Sequence, residues 1–205
     1  MDFNSAMNFR HACKLFDETK EINSEDFTKI LEWGRLSPSS FGLEEFRFLI
    51  VEDKQKREEL RAACWDQWQI TTASKVVALK ALTKELLPNS EYVKTMLQRK
   101  AKDDETLKAY LEKYAGFMKD KSDIETLTHW SEKQAYIASA NMMTGAASLG
   151  FDSCPIEGFV RNEVERVLEI DRDRESLALI VAFGYRVKEQ PKRTRLPLEQ
   201  YIETM

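Results

Sequence analysis

The chain has 205 residues, a length that suits one domain with a single buried core. Apolar residues make up 42% of it and the formal net charge is −4, which argues against a disordered chain and against nucleic-acid or anionic-membrane partners. Three separated cysteines and two histidines give no metal-ligand spacing, and no run of about 18 apolar residues predicts a membrane span. We therefore expect a cytoplasmic protein with reduced thiols and no bound metal.

The apolar pattern predicts a chain rich in helices, with three or four strands between them. The long helix ends in AYIASANMMTGAASL, which is small or apolar nearly all round and predicts burial on most faces, either at a subunit contact or in a monomer core. We expect a single domain over 1–205, with a charged helical excursion at about 88–122 and a C-terminal arm at about 187–205. Before the excursion, the predicted elements are a helix at 2–9, a helix from a cap at Asn23 to a stop at Ser37-Pro38, a strand at 46–52, a helix at 54–64 and a strand at 75–82. After the excursion, they are a helix at 123–149, a helix-prone segment from 161 and a strand at 177–185.

Several familiar catalytic motifs are missing from this sequence. The seven glycines form neither the G-x-G-x-x-G dinucleotide loop nor a P-loop, and G-x-S-x-G is absent as well. A Rossmann nicotinamide domain and a phosphate-binding P-loop are therefore disfavoured. A Cys–His catalytic pair stays open, with Cys13 and His11 as its weak candidates.

Four polar islands interrupt the apolar pattern. In the first, RHACK, a helical turn would put Arg10 and Lys14 on one face, where they could hold a phosphate. The second is SPSS at 37–40, and the third is PIEG at 155–158, where Gly158 would let a flat ligand approach the backbone. The fourth is RTRLP at 193–197, whose two cations could clasp a phosphate. Taken singly, each island is also explained as an ordinary turn or a solvated basic segment.

Together, RH-x-x-K-x-FD, SPSS about 25 residues later, DSCPIEGF near residue 155 and the late R-x-R-L-P resemble the oxygen-insensitive nitroreductase family, over about residues 8 to 197. The resemblance implies an α+β fold, with three α/β/α layers around a central mixed, mainly antiparallel sheet, in an intertwined homodimer. It implies FMN as cofactor and NADH or NADPH as reductant. The reaction would be two-electron, ping-pong hydride transfer to a nitroaromatic or quinone acceptor, with no catalytic side chain because flavin N5 takes the hydride.

The same resemblance assigns cofactor contacts to residues of all four islands and of one further turn. His11 would contribute through its backbone, and Lys14 would lie near the N1–C2=O edge of the ring. Before Ala73-Ser74, Asp66 and Gln69 are favoured for the pyrimidine edge, and a gap of one residue would select Gln67 instead. The remaining assignments are the phosphate contacts Arg10, Arg193 and Arg195, the loop Pro38, Ser39 and Ser40 from the other subunit, and the ring-facing segment Pro155, Ile156, Glu157 and Gly158.

The sequence departs from the family pattern at two places. Ala12 stands where a serine is frequent, and the segment GLEEF at 42–46 replaces N-x-Q-P-W. These departures leave open a flavoenzyme of the same fold with another reaction, such as ene reduction or dehalogenation, or a non-catalytic flavin-binding dimer. In the excursion, the resemblance implies an aromatic lid made of Tyr110, Tyr114 and Phe117, with ordinary helix packing as the alternative. The sequence does not distinguish NADH from NADPH.

Overall fold

The computed structural model describes residues 1–121 and 123–205, so Ser122, the last residue of the predicted excursion, lies outside it. The predicted helices and strands are confirmed within a few residues of their expected ends. The elements are α1 (Phe3–Phe9), α2 (Ser24–Arg35), β1 (Phe46–Ile50), α3 (Lys54–Ala63), α4 (Gln69–Thr72), β2 (Lys75–Leu82), α5 (Glu91–Gln98), α6 (Asp104–Phe117), α7 (Ile124–Ser148), β3 (Asp152–Ile156), α8 (Arg161–Val167) and β4 (Glu175–Gly184).

The four strands form one sheet in the order β1-β2-β4-β3, and every neighbouring pair is antiparallel. The expectation of a mixed sheet is therefore wrong for these strands, and a single bridge between Ala12 and Ser153 supplies the parallel contact. Strand β3 was not predicted, because Pro155 read as a turn residue. Proline is tolerated there because β3 is one of the two edge strands of the sheet, where a missing N–H breaks no central ladder.

Helices cover both faces of the sheet, which confirms the three layers. On one face, Val76, Ala78 and Ile180 pack with residues of α3 and α8. On the other, neighbouring strand residues such as Val77 and Leu179 pack with α2 and α7. Strand β4 is buried on both sides over nearly its whole length, as its continuous apolar run predicts.

Helix α7 lies in the core of the chain. A Cβ added at Gly145 would come within 2.1 Å of the Trp33 ring, so the small residue allows α2 to approach closely. The close approach that the small residues permit therefore occurs inside one chain, as the monomer-core alternative expected. The solvent side of α7 still exposes Tyr136 at 38% and Ile137 at 41%, so a subunit contact on that side stays a prediction.

The excursion builds a third apolar cluster beside the sheet. Tyr114 is fully buried in it and donates a hydrogen bond of 2.6 Å to the carbonyl oxygen of Leu86, so this tyrosine belongs to the packing and not to a lid. Tyr110 and Phe117 are each 37% exposed and remain the candidates for a covering role.

Within the described ranges, no helix has the length and apolar character needed to cross a bilayer. The same residues contain no group of three or more His, Cys, Asp or Glu side chains arranged to hold a metal ion.

Candidate functional site

The first island is extended, so the expectation that it forms a helical turn is wrong. Helix α1 ends at Phe9, Arg10 has an extended backbone, and Cys13 N donates to the carbonyl oxygen of Ser153 at 3.0 Å. Along an extended segment alternate side chains share a side. Cys13 is buried while Ala12 is exposed, so Arg10 and Ala12 share a side, and the chain bends at Lys14, which is also exposed.

Three arginines from the two ends of the chain come together beside α1. Arg193 donates to the carbonyl oxygens of Met7, at 3.2 Å, and of Arg10. The pKa of Arg10 is lowered, first by burial and then by the like charges of Arg193 and Arg195. Among the described residues, no carboxylate forms an ion pair with any of these three arginines. Partly buried cations that repel one another favour binding of an anion such as a phosphate.

The His11 imidazole faces Asp152 of the sheet. Its Nδ1 lies 3.6 Å from Oδ1 of the buried Asp152, which Arg186 also contacts at 2.8 Å. Burial, then the charge of Arg186, lowers the pKa of His11, so the imidazole is neutral at pH 7. Cys13 bonds the carbonyl oxygen of Leu15, and burial raises the pKa of its thiol to about 11. This geometry does not support a catalytic Cys13–His11 pair, because the thiol stays protonated and the imidazole faces Asp152.

A chain of polar contacts joins the first island to the third through the turn before α4. Lys14 Nζ lies 3.6 Å from Cys154 Sγ, and Gln69 Nε2 lies 3.8 Å from the same sulfur. Gln69 Nε2 also donates to Gln67 Oε1 at 2.7 Å, and Gln67 Nε2 donates to the carbonyl oxygen of Gly158 at 2.7 Å. We call these five residues the Cys154 network. It brings together Lys14, Gln69 and Gly158, three predicted cofactor residues that are distant in sequence.

Asp66, the other favoured residue of that turn, lies outside the network. Its Oδ1 pairs with Arg61 Nε at 2.8 Å, and its side chain is 67% exposed. Trp65 and Asp66 both have a φ of 54°, in the left-handed region that non-glycine residues rarely adopt. This turn directs Asp66 outward and Gln67 inward, so Gln67 contacts Gly158 of the third island and Gln69 contacts Cys154 just before it.

The third island begins inside β3 and ends on the surface. Pro155 and Ile156 complete the strand, and a Cβ added at Gly158 would come within 2.7 Å of the Trp65 ring. Glu157 accepts a hydrogen bond from the hydroxyl of Tyr136, on the exposed side of α7. Burial raises the pKa of Tyr136, and the Glu157 carboxylate raises it further. Glu157 is thus held as a polar anchor.

The second island is fastened to α7. Ser37 Oγ accepts from Asn141 Nδ2 at 2.8 Å, and the backbone N–H of Ser40 donates to Gln134 Oε1 at 3.1 Å. The Ser39 hydroxyl accepts from the N–H of Glu44 at 2.9 Å. No hydrogen bond or ion pair of the described residues joins Pro38–Ser40 to the other three islands, so their contact with the cofactor from a second subunit stays a prediction.

The segment that departs from the family pattern binds the excursion. Lys100 Nζ donates to the carbonyl oxygen of Phe41 at 2.6 Å, and Arg99 pairs with Glu44 at 2.9 Å. Gly42 has a φ of +59°, a left-handed conformation that favours glycine, and a Cβ there would displace Lys100 Nζ, 2.0 Å away.

Glu45, in the same segment, is fully buried, and neither carboxyl oxygen has a hydrogen-bond partner among the described residues. Burial raises its pKa to about 7. The Ser39 hydroxyl and Lys100 oppose this rise only in part, and the hydroxyl does not reach hydrogen-bond geometry with the carboxyl group.

The sequence pattern that defines the Nitroreductase family matches residues 7–185, which is most of the chain. The chain belongs to the nitroreductase family. YfkO of Bacillus subtilis (strain 168), provisionally described as an NAD(P)H nitroreductase, is 42% identical over 210 residues, covering 97% of this chain and 95% of that protein. A relative in Staphylococcus aureus (strain USA300) with the same provisional description is 44% identical over 208 residues, covering 97% of this chain and 93% of that protein.

Solved structures share the fold of this nitroreductase at low sequence identity. The crystal structure of ydfN from Bacillus subtilis, provisionally a nitroreductase, matches with a TM-score of 0.88 at 21% identity, over 100% of this chain and 99% of that one. A provisionally assigned nitroreductase from Exiguobacterium sibiricum 255-15, crystallised in complex with FMN, matches with a TM-score of 0.83 at 22% identity, over 100% of this chain and 98% of that one. At these identities the likeness concerns the fold.

Sequence reasoning missed residues that this nitroreductase places beside the predicted site. The sequence does not single out Trp65, and Cys154 stands there only within the DSCPIEGF motif. Had DSCPI been recognised as a strand, its period of two would have put Cys154 on the same side as the apolar Ile156. No local signal marks Trp65, because its position depends on the left-handed turn and on the absence of a side chain at Gly158.

Proposed function

We propose that this nitroreductase binds FMN and uses it to pass two electrons from NADH or NADPH to a nitroaromatic or quinone-type acceptor by ping-pong hydride transfer. Two features carry the proposal: three arginines that form no ion pair with a carboxylate in the described part of the chain, and the Cys154 network. The first offers a site for a phosphate, and the second offers polar groups and a bare glycine for a flat heterocycle. FMN combines these two chemistries.

The residues present fit that cofactor. The positive charges of Arg193 and Arg195 repel that of Arg10. A bound phosphate would remove this repulsion and would also accept charge-assisted hydrogen bonds. Ala12 offers no hydroxyl on the same side, which leaves the phosphate more dependent on the arginines. Gly158 has no side chain, so a flat ring can contact its peptide closely if the Trp65 indole moves aside. The indole can move because it is 69% exposed.

Bound FMN supplies the atom that takes and gives the hydride. The chain's own residues position it and set its electrostatics. Arg10, Arg193 and Arg195 bind the phosphate end, and the Lys14 ammonium places a positive charge where electron density would grow on reduction. Glu157 is occupied by Tyr136 and serves as an anchor without transferring a proton. No G-x-G-x-x-G domain is needed, because the nicotinamide would enter the same site as the acceptor and leave before it.

We also propose that the active form is a homodimer. The exposed side of α7 carries Tyr136 and Ile137, and nearby Phe3 and Leu36 are 71% and 63% exposed. A group of exposed apolar side chains of this kind is typical of a protein interface. A two-fold contact through α7 would carry the attached Pro38–Ser40 loop toward the second subunit's cofactor.

The test begins with the visible absorption spectrum of the purified protein, recorded anaerobically before and after adding NADH or NADPH. Flavin absorption that bleaches with either nicotinamide, and returns when a nitrofuran or a quinone is added, supports the proposal. The nicotinamide that bleaches faster at equal concentration identifies the preferred reductant.

Two other outcomes separate the alternatives. Bleaching with recovery by an enone, and no recovery by nitro compounds or quinones, would assign ene reduction to the same fold. The segment at 42–46 makes this worth testing, since the carboxylate of Glu44 stands where the family pattern has an amide side chain. A protein that binds FMN without bleaching would be a binding dimer, and a protein that binds no FMN would overturn the proposal.

A further inference from the structure

Cys154 touches three of the residues predicted to hold the cofactor. Its sulfur accepts from Lys14 Nζ at 3.6 Å and from Gln69 Nε2 at 3.8 Å, and its thiol donates to the carbonyl oxygen of Pro155 at 3.5 Å. The residue is fully buried. All of its hydrogen bonds therefore go to residues that are predicted to contact the cofactor, namely Lys14, Gln69 and Pro155.

The other two buried cysteines do not share this environment. Cys13 donates to the carbonyl oxygen of Leu15. For Cys64, no hydrogen bond to sulfur occurs among the described residues, and burial alone raises its pKa to about 12. Burial also raises the pKa of Cys154, but Lys14 and Gln69 oppose that rise. A cysteine that served only as a small apolar residue would not attract two N–H donors.

We propose that Cys154 is a positioning residue, whose sulfur holds the Lys14 ammonium and the Gln69 amide side by side at the edge of the cofactor site. This inference rests on the proposed binding of FMN. Lys14 is exposed and has a long, flexible side chain, and its terminal amine makes no other hydrogen bond or ion pair among the described residues. Gln69, which is 3% exposed, is fixed from the other side by Gln67.

The consequence concerns how strongly FMN binds and how easily it is reduced. A lysine pre-oriented beside the ring loses less conformational freedom when FMN binds, and it stabilises negative charge on the ring more strongly. Without the sulfur, Lys14 would extend into water, and Gln69 would lose one of its two partners. FMN affinity and the midpoint potential of bound FMN should then fall together.

The test compares Cys154→Ala with Cys154→Ser. Alanine and serine remove about the same volume from the core, but serine keeps a donor and an acceptor at the position. We expect Cys154→Ala to weaken FMN binding by about fivefold, the equivalent of one ordinary hydrogen bond. It should also lower the midpoint potential of bound FMN, as Lys14→Ala should by removing the ammonium itself. Cys154→Ser should stay within about twofold of the wild type in affinity. Cys64→Ala, at a buried cysteine of the same apolar cluster, is the packing control and should leave both quantities unchanged.

A ligand-free measurement accompanies these titrations. Lys14 of the apoprotein should react faster with an amine-acylating reagent in Cys154→Ala than in the wild type, as measured by peptide mass spectrometry. Equal effects of alanine and serine on affinity and potential, with unchanged Lys14 labelling, would reduce Cys154 to a packing residue and overturn the inference. Failure of the wild-type protein to bind FMN would instead overturn the proposed function, so the two failures are distinguishable.

Discussion

Gln67 donates a hydrogen bond of 2.7 Å from Nε2 to the carbonyl oxygen of Gly158, 91 residues away in the sequence. The contact closes the turn before α4 over the third island and places the Trp65 ring against Gly158. This turn is itself held by backbone hydrogen bonds from Asp66 N to Arg61 O and from Gln67 N to Cys64 O. The relative position of the turn and the island is therefore set by both backbone and side chains.

Replacement of Gly158 by valine should give a folded protein that has lost FMN. The new Cβ would lie 2.7 Å from the Trp65 ring and 3.0 Å from Gln67 Nε2, so both side chains must move. Trp65 is 69% exposed and can move without disrupting the core, whereas the polar edge of the site is displaced. The measurement is FMN content after purification, beside a circular dichroism spectrum.

Gly116→Ala is the matched control for that substitution. Nothing lies within 4 Å of a Cβ at Gly116, which is on α6, so alanine there should raise stability by up to about 1 kcal/mol and leave FMN content unchanged. A Gly158→Val protein with full FMN content would show that the cofactor does not depend on this peptide.

Glu45 should make the stability of the protein depend on pH. The folded pKa is raised from 4.5 to about 7, so the native state holds a proton that the unfolded state releases. The contribution of Glu45 to the free energy of unfolding should be highest below about pH 4.5 and should fall as the pH rises toward 7. Above about pH 7 this contribution should not change further. A shift of this size corresponds to about 3 kcal/mol.

The glutamine substitution isolates this effect. Glu45→Gln cannot ionise, so its urea unfolding at pH 5, 7 and 8 should show a flatter dependence, and at pH 8 it should be more stable than the wild type by about 2 kcal/mol. Glu44→Gln, at the exposed neighbour that pairs with Arg99, should cost at most about 1 kcal/mol and keep the wild-type pH dependence. Parallel pH profiles of Glu45→Gln and wild type would mean that Glu45 stays charged in the fold.

Removal of Arg195 should have opposite effects on the apoprotein and on cofactor binding. In the apoprotein the substitution Arg195→Ala relieves repulsion on Arg10, so thermal stability should be equal or higher. Affinity for FMN should fall about tenfold, because one charge-assisted contact to the phosphate is lost. Arg195 is preferable to Arg193 for this test, since Arg193 also bonds carbonyl groups at the end of α1.

Lys192→Ala provides the comparison, because it removes an exposed positive charge from the same arm. It should leave FMN affinity within about twofold at 0.15 M salt, where exposed charges are screened. Affinities are measured by fluorescence titration of apoprotein with FMN. If Arg195→Ala and Lys192→Ala behave alike, the phosphate does not sit at the arginine cluster.

The exposed side of α7 should be buried between subunits. Ile137→Glu places a charge on that side, and in a two-fold interface the substitution occurs twice, so the dimer should dissociate. Sedimentation velocity gives the oligomeric state, and FMN content should fall with it if the second subunit contributes Ser39 and Ser40. Glu163→Lys on α8, which covers the opposite face of the sheet, should leave the assembly intact. A wild-type protein that sediments as a monomer would contradict the prediction directly.

The sequence alone determined the long helices, three of the strands and the family. Periodicity revealed α7 and β4 because burial imposes a local pattern on each, and caps such as Asn23 mark where a helix begins. The four islands could be recognised by residue type and order, without any knowledge of distances.

Tertiary structure decided which of these residues meet. The local sequence pattern predicted a helical turn for the first island and a loop from Pro155. In the fold, Ala12 pairs with Ser153 and Pro155 pairs with Val181, so both positions are extended. Likewise, the choice between Asp66 and Gln67 depends on a left-handed turn and on Arg61, and the role of Cys154 depends on donors 140 and 85 residues away. Contacts at such separation leave no periodic trace in the sequence, because they are fixed by the packing of the sheet and not by neighbours along the chain.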